Sequence, residues 1–574
     1  MHSFIPPNQF VAIKLPSDQT RIVKLVPDSL VQLGKYGSFP ANQIIGRPFY
    51  FTFEIQDTAE KDGYKLRVVS ATELHAETLI EEAEADGEGE DQPEGSAGIP
   101  MRTNRQIVDD ASTQTLTLQE IEELKKEAGG AGKEIIAKIL ESHTALDQKT
   151  AFSLAKYTLR KRQKYLKRFT VVPLDVSTLA NFMLAEKDAT RTMEMRDEHI
   201  GLLGCFGNVH YSGESQNEES ATDSLPAVKP NGRYYVVDET GGLVVAAMAE
   251  RMGILYPRDE EEDGNDGEEE TTDPNEQNLT EEDNNAEAQG ATSTSKRKRP
   301  QAMSASGNTI TVVHASSQPN LSLLKYFGYD INSPDENHPL HTHLKTVTWL
   351  QMLDPAVDPI LANRPADIPP AELAALKGSK RSAYHFKRNR WERIKKVVEE
   401  ARAGRFDGLV VATLLEPASV LKNLVPLLSG SASVSVYSPT VESLVVLMDK
   451  YSTTRRTAFI NKKRDLEAQT TAEHDDIDLS SLYEEFELDP TLLLPPTLHR
   501  SRVRAWQVLP GRTHPLMTGR GGAEGYLFHG VRVIPTTANV QAAGTFRKKR
   551  KLEQQTSAPT PTTDQDVEMA SLSA

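Results

Sequence analysis

The sequence predicts an α/β chain. From about residue 196 onward, β-branched runs alternate with amphipathic stretches, short alternating strands crowd the first 76 residues, and helical periodicity fills the part between. In the C-terminal half the units are RYYVVDE with LVVAAMAERM, NTITVVHAS with SLLKYFGY, GLVVATL with ASVLKNLVPLL, and SVSVYSP with VESLVVLMDKY. Continuous apolar strands of this kind belong to a parallel sheet covered on both faces. Residues 196–545 are therefore expected to form a Rossmann-like domain.

The N-terminal runs FVAIKL, RIVKLV, SLVQLG, FYFTFEI and YKLRVV are separated by turn-forming residues. Five closely spaced strands favour a small β-barrel over residues 1–76, because closure removes exposed edges. Residues 104–195 read as a helical connector. Thr117 and Glu120 make a capping box ahead of LQEIEELKKEA, and GKEIIAKILESH and FSLAKYTLRKRQKYLKRF follow. The segment from Thr170 to Pro173 suits either a strand or an extended linker.

At 574 residues the chain exceeds one hydrophobic core. Its only cysteine is Cys205, which permits no intramolecular disulfide and suits a reducing compartment. It has no leader-like start and no apolar run of about 18 residues, so neither secretion nor a membrane span is expected. The net charge of −17 is unevenly spread. Residues 77–94 hold nine acids and residues 259–287 hold fifteen, with no Lys or Arg, so the remainder carries +7. A polyanionic partner is thus permitted. The tracts 77–103 and 258–307, and the Ser/Thr/Pro-rich tail 546–574, are expected to be disordered.

A cofactor-binding Rossmann turn needs glycines where the backbone approaches its ligand. The spacing usual for S-adenosylmethionine enzymes, laid on Asp238, asks for glycine at 240, 242 and 244. The chain supplies Thr240, Gly242 and Val244. The second strand ends in His314 rather than in an acid, and the unit VVATLLEPAS offers only Glu416 as a catalytic acid. A degenerate cofactor site is expected, with no cofactor in this chain and no catalytic residue.

NRQIVDDASTQTLT, ETGGLVVAAMAERMG, FDGLVVATLLEPASVL and RAWQVLPGRTHPLM resemble the family of non-catalytic subunits of the eukaryotic tRNA (adenine-58-N1)-methyltransferase. The likeness runs from the N-terminal strands to about residue 534, the acidic tracts excepted. It implies an N-terminal barrel and a class I methyltransferase-like domain without cofactor. It also implies assembly with a catalytic subunit as a two-plus-two heterotetramer, in which the sister chain holds S-adenosylmethionine and this chain helps bind tRNA.

Phosphate binding needs Lys and Arg, and exposed bases favour planar side chains. YTLRKRQKYLKR brings Arg160, Lys161, Arg162, Lys164, Lys167 and Arg168 together with two tyrosines; on a helix, Arg160, Lys164, Lys167 and Arg168 share a face. KRSAYHFKRNRWERIKK offers Lys380, Arg381, Lys387, Arg388 and Arg390 beside Tyr384, Phe386 and Trp391. Arg512 and His514 in RAWQVLPGRTHP line a subunit junction, touch RNA or simply form a turn, with Trp506 read as core. His338, His341 and His343 read as a surface loop rather than a metal site. KRKRP at 296–300 and FRKKRKLE at 546–553 suit import signals, hence a nuclear location. Two other readings stand beside the leading one: an active methyltransferase using Asp238 and Glu416, and a nuclear scaffold that binds proteins through its acidic tracts.

Overall fold

The computed structural model describes residues 4–57, 64–75, 114–127, 132–144, 151–211, 232–256, 308–469, 480–509, 512–515 and 522–535. The tracts 77–103, 258–307 and 546–574, with the basic runs at 296–300 and 546–553, lie outside the described residues.

In the N-terminal part, β1 (Phe10–Lys14) and β2 (Thr20–Lys24) form an antiparallel hairpin, with Asp18 in the turn at φ 60°. A separate hairpin joins β3 (Leu30–Gln32) to β4 (Ser38–Pro40), and a third pairs β5 (Thr52–Asp57) with β6 (Tyr64–Val69). The first 76 residues do not complete this sheet alone. Its central strand is β7 (Arg168–Pro173), and the five-stranded order is β2-β1-β7-β5-β6. The stretch assigned to the connector, and left between strand and linker, is thus a strand held on both sides, by β1 and β5.

Alternation along β1 and β7 gives each face its own core. Val11, Ile13 and Val171 join Phe39, Phe53 and Phe169 beneath the β3–β4 hairpin, with Phe169 stacked at 4.6 Å on Phe39 and at 5.5 Å on Phe53. Ala12 and Val172 face the other way, into the core of the C-terminal domain. The helical part also divides. Thr117 and Glu120 form the expected capping box, Thr117 N donating to the carboxylate at 2.8 Å and Glu120 N to the hydroxyl at 3.3 Å. The helices Leu118–Glu127, Gly132–Glu141 and Ala151–Tyr165 enclose a small core of Ile135, Ile136, Ile139 and Tyr165. Gly132 is required there, because a Cβ would stand 2.5 Å from the Tyr165 carbonyl oxygen. The next helix, Val176–Ala185, belongs instead to the C-terminal core.

That domain has a seven-stranded sheet. β8 (Arg233–Asp238), β9 (Thr309–His314), β10 (Leu344–Thr348), β11 (Phe406–Ala412) and β12 (Leu428–Ser438) are parallel, in the order β10-β9-β8-β11-β12. β16 (Tyr526–Val531) and β13 (Thr497–Arg500) extend it antiparallel. Both faces are covered: Tyr234, Val236, Ile310, Val312 and Val410 enter one core, and Tyr235, Val237, Val313, Leu409 and Val411 the other. This is the Rossmann-like arrangement expected. β10 is not among the units read in the sequence, SLLKYF is a 3-10 turn (Ser322–Phe327), and the last strand of the sheet is YLFHGV.

The N-terminal sheet and the helical cluster are tied through Glu73, which Arg168 also holds. Instead of facing RNA, Arg168 lies buried in β7 and pairs with Glu54 of β5 at 3.1 Å and with Glu73 at 3.1 Å. Glu73 also receives Arg67 at 2.9 Å and Lys133, from the helical cluster, at 2.6 Å. Those bonds, Arg67 first, hold the Glu73 carboxyl down at about 2 against a usual 4.5. A depressed acid stabilises the fold above its unfolded value and loses that contribution as the pH falls through the folded value. Glu73→Gln should therefore flatten the dependence of melting temperature on pH between 4.5 and about 2. Arg168→Met removes the buried partner of Glu54, which keeps only the half-exposed Arg67 at 2.5 Å. It should cost about 3 kcal/mol in denaturant titrations of the full chain, with faster amide exchange in β5 and β7; an unchanged midpoint would contradict the tie.

Candidate functional site

In open α/β sheets ligands bind at the carboxyl ends of the strands where strand order reverses, here between β8 and β11. β8 ends at Asp238, the chain turns through Gly241 (φ 77°) and Gly242 (φ 95°), and the helix Leu243–Met252 begins. The glycines serve packing within the chain. A Cβ on Gly242 would lie 3.0 Å from Leu321 Cα, and one on Gly241 would lie 3.5 Å from the Leu323 side chain. Leu323 N donates to the Gly241 carbonyl at 3.0 Å, closing the loop over the turn.

The helix terminus is likewise satisfied from inside. Asp238 accepts from Thr240 N at 2.7 Å, Thr240 Oγ1 at 2.6 Å and Val245 N at 3.0 Å, and Val244 N donates to Thr240 Oγ1 at 3.3 Å. In a phosphate- or cofactor-binding unit such N–H groups face the ligand. Here they are taken. Thr240 and Val244 are buried, and burial pushes the Asp238 carboxyl upward against the bonds it accepts. These residues do not fit S-adenosylmethionine: the space beside the glycines holds leucine side chains.

The neighbouring strand ends carry no acid–base apparatus. His314 Nδ1 donates to the Ser316 carbonyl at 2.7 Å. Glu239, unnoticed in the sequence, clamps the end of β11 by accepting from Thr413 Oγ1 at 2.8 Å and Leu414 N at 2.7 Å. Beyond it Leu414 is 79% exposed, and Glu416 sits exposed at the start of the helix Pro417–Leu424. Asp238 is locked and Glu416 lies on the surface, so the pair required by the active-enzyme reading is not assembled.

The basic stretches separate into structural and free cations. The helix Ala151–Tyr165 stops before Lys167 and Arg168, so the four-residue face expected from helical spacing reduces to Arg160 and Lys164, both exposed. Lys161 lies over the Tyr157 ring at 4.8 Å, and burial lowers its ammonium pKa; Arg162 and Lys167 are half-buried. On the long helix Gly378–Ala403, Lys380, Arg381, Lys387 and Arg390 are exposed. Arg388 is a clamp instead, bonded to Glu392 at 2.9 Å, to Asp367 at 3.2 Å and to the Tyr384 hydroxyl at 3.1 Å.

The segment RAWQVLPGRTHP forms a hairpin of β14 (Trp506–Leu509) and β15 (Arg512–Pro515). Trp506 is not core: it is 57% exposed, with Val508, two residues on, at 71%. His514 donates from Nδ1 to the Pro515 carbonyl at 3.0 Å, and the Arg512 side chain lies outside the described ones. The histidines do not form the expected surface loop. His338 is buried and caps the helix Pro339–His343, and His343 is buried with Nδ1 bonded to the Asn308 carbonyl. Among the described residues no cluster able to hold a metal occurs.

The chain is 60% identical to a protein of Aspergillus oryzae named tRNA (adenine(58)-N(1))-methyltransferase non-catalytic subunit trm6, and 59% identical to one of the same name from Aspergillus fumigatus, each alignment covering 100% of both chains. A relative of that name from Schizosaccharomyces pombe is 30% identical over 97% of both chains. The sequence model of the Gcd10p family matches residues 4–377. With its cofactor turn closed on itself and relatives that match it end to end, the chain belongs to the Gcd10p family.

Proposed function

We propose that this chain is the non-catalytic, tRNA-binding subunit of a tRNA (adenine-58-N1)-methyltransferase. A catalytic sister chain holds S-adenosylmethionine and transfers the methyl group to N1 of the adenine, in a nuclear two-plus-two heterotetramer. The observation that carries this reading is the turn at Asp238–Val245, whose donors are satisfied by Asp238 and Thr240 and whose space is taken by Leu321 and Leu323. The relatives' names supply the reaction. The exposed cations Arg160, Lys164, Lys380, Arg381, Lys387 and Arg390 supply an electrostatic grip, on a chain that is net basic once its two acidic tracts are set aside. The basic runs at 296–300 and 546–553 support the nuclear location.

In calorimetric titration the full chain alone should take up no S-adenosylmethionine, whereas the assembly with its sister chain should; micromolar binding by the isolated chain would overturn the assignment. Opening the turn by Thr240→Gly with Val244→Gly should create no donor site, since both leucines remain. It should lower stability by at least about 2 kcal/mol through the lost cap and the lost buried side chain. Charge reversal at Arg160 and Lys164 in the assembly should weaken tRNA binding about tenfold at fixed salt and reduce its salt dependence. Unchanged affinity would remove that helix from the RNA surface.

A further inference from the structure

The long helix Gly378–Ala403 carries its charges against its own dipole. Lys380 and Arg381 lie in its first turn with no acid, Lys387, Arg388 and Arg390 follow, and the first carboxylate is Glu392. Cations near a helix N-terminus are unfavourable by a few tenths of a kcal/mol or more each. Helix stability does not select this pattern. Packing does not either, because the helix buries only Val398 and Ala401, near its C-terminal end.

A cleft of about 480 Å3 opens beside this basic half. Its walls are Lys387, Arg390 and Trp391 from the helix, and Asn363, Arg364 and Pro365 from the turn after the helix Pro359–Ala362. Bonds inside the protein hold the two walls together. The Tyr384 hydroxyl donates to the Ala366 carbonyl at 3.1 Å, Arg388 pairs with Asp367 at 3.2 Å, and Trp391 Nε1 donates to the Leu361 carbonyl at 3.2 Å. The last bond fixes the indole by its edge, and the ring lines the cleft. The cations Arg364 and Lys395 stand 5.7 and 5.3 Å from its centroid. Phe386, on the same helix, is 72% exposed. Among the described residues Lys387 and Arg390 have no ion-pair partner, whereas Arg364 pairs with Asp367 at 2.6 Å.

An indole and two cations without ion-pair partners in one preformed cleft match a particular form of RNA. A duplex offers phosphates and a shallow groove but hides the faces of its bases; an unpaired strand offers both phosphate and base face. We propose that this cleft binds unpaired nucleotides of the RNA, with Lys387 and Arg390 on the phosphodiester and Trp391 beneath a base. The proposal rests on the tRNA-binding reading above and specifies the part of the RNA that this face takes.

The test uses the full chain assembled with its catalytic sister and two probes of equal length: an unstructured single-stranded RNA carrying 4-thiouridine, and a duplex. Irradiation should place single-strand adducts within residues 386–391. Lys387→Ala with Arg390→Ala should lower single-strand affinity at least about fivefold, reduce the single-strand salt slope by about 1.4, at about 0.7 per contact, lower duplex affinity by a smaller factor, and leave the melting temperature unchanged. Adducts lying only elsewhere, or single-strand affinity unaltered in the double variant, would overturn the cleft. If the assembly then still binds tRNA through cations elsewhere on this chain, the cleft alone falls; if no part of this chain cross-links to bound tRNA, the tRNA-binding reading falls with it.

Discussion

The carboxylate of Asp238 is the point on which the centre of the C-terminal domain closes. It sits at the carboxyl end of β8, buried, and collects Thr240 N, Thr240 Oγ1 and Val245 N. A parallel sheet feeding a helix through a glycine turn always leaves donors at the helix terminus, and these need partners. A ligand can provide them, or the chain can. Here the threonine at 240 recruits the aspartate for this purpose, the valine at 244 joins the core, and Leu321 and Leu323 fill the remaining space. The chain's own side chains thus satisfy the helix-terminal donors and fill the space beside the glycines.

On the outside of the molecule the pairing of charges decides what a side chain can offer a partner. A surface cation already matched by a carboxylate contributes little and has little to offer an anion. Arg388 is such a cation, bracing the turn at Asp367 against the long helix, while Lys387 and Arg390 beside it stay open. Burial makes the same selection in the N-terminal part. Arg168 closes the run RKRQKYLKR, yet it belongs to β7, where the pleat turns it inward onto Glu54 and Glu73.

The alternation of apolar runs with amphipathic stretches, the capping box at Thr117 and Glu120, and the missing glycines at 240 and 244 were legible because each depends on residues close in sequence. What escaped depends on partners far along the chain. The central place of β7 requires β1 and β5 on either side, more than a hundred residues away. The strand Tyr526–Val531 follows the glycine-rich GRGGAEG and pairs with β12 and β13, and β10 shows only a single short apolar alternation. Trp506 was read as core from its strand-like run, but in a two-stranded hairpin a strand has only one face to bury, and tryptophan stands on the other. Glu239 carried no signal at all: its role appears only when β11 is laid beside β8.

These cases share one physical rule. A basic run in a sequence gives the number of cations available, while the register of the element that carries them sets how many remain for a partner. On the helix Ala151–Tyr165 the run continues past the last helical turn, so the count falls when β7 begins. On Gly378–Ala403 the helix persists through the whole run, and neighbours three and four positions apart decide each side chain: Arg388 meets Tyr384 and Glu392, whereas Lys387 and Arg390 open onto the cleft with Trp391. The second helix therefore retains the greater share of its sequence charge at the surface. It is also the element whose charges work against its own dipole, so their persistence follows from what they face rather than from what they hold together.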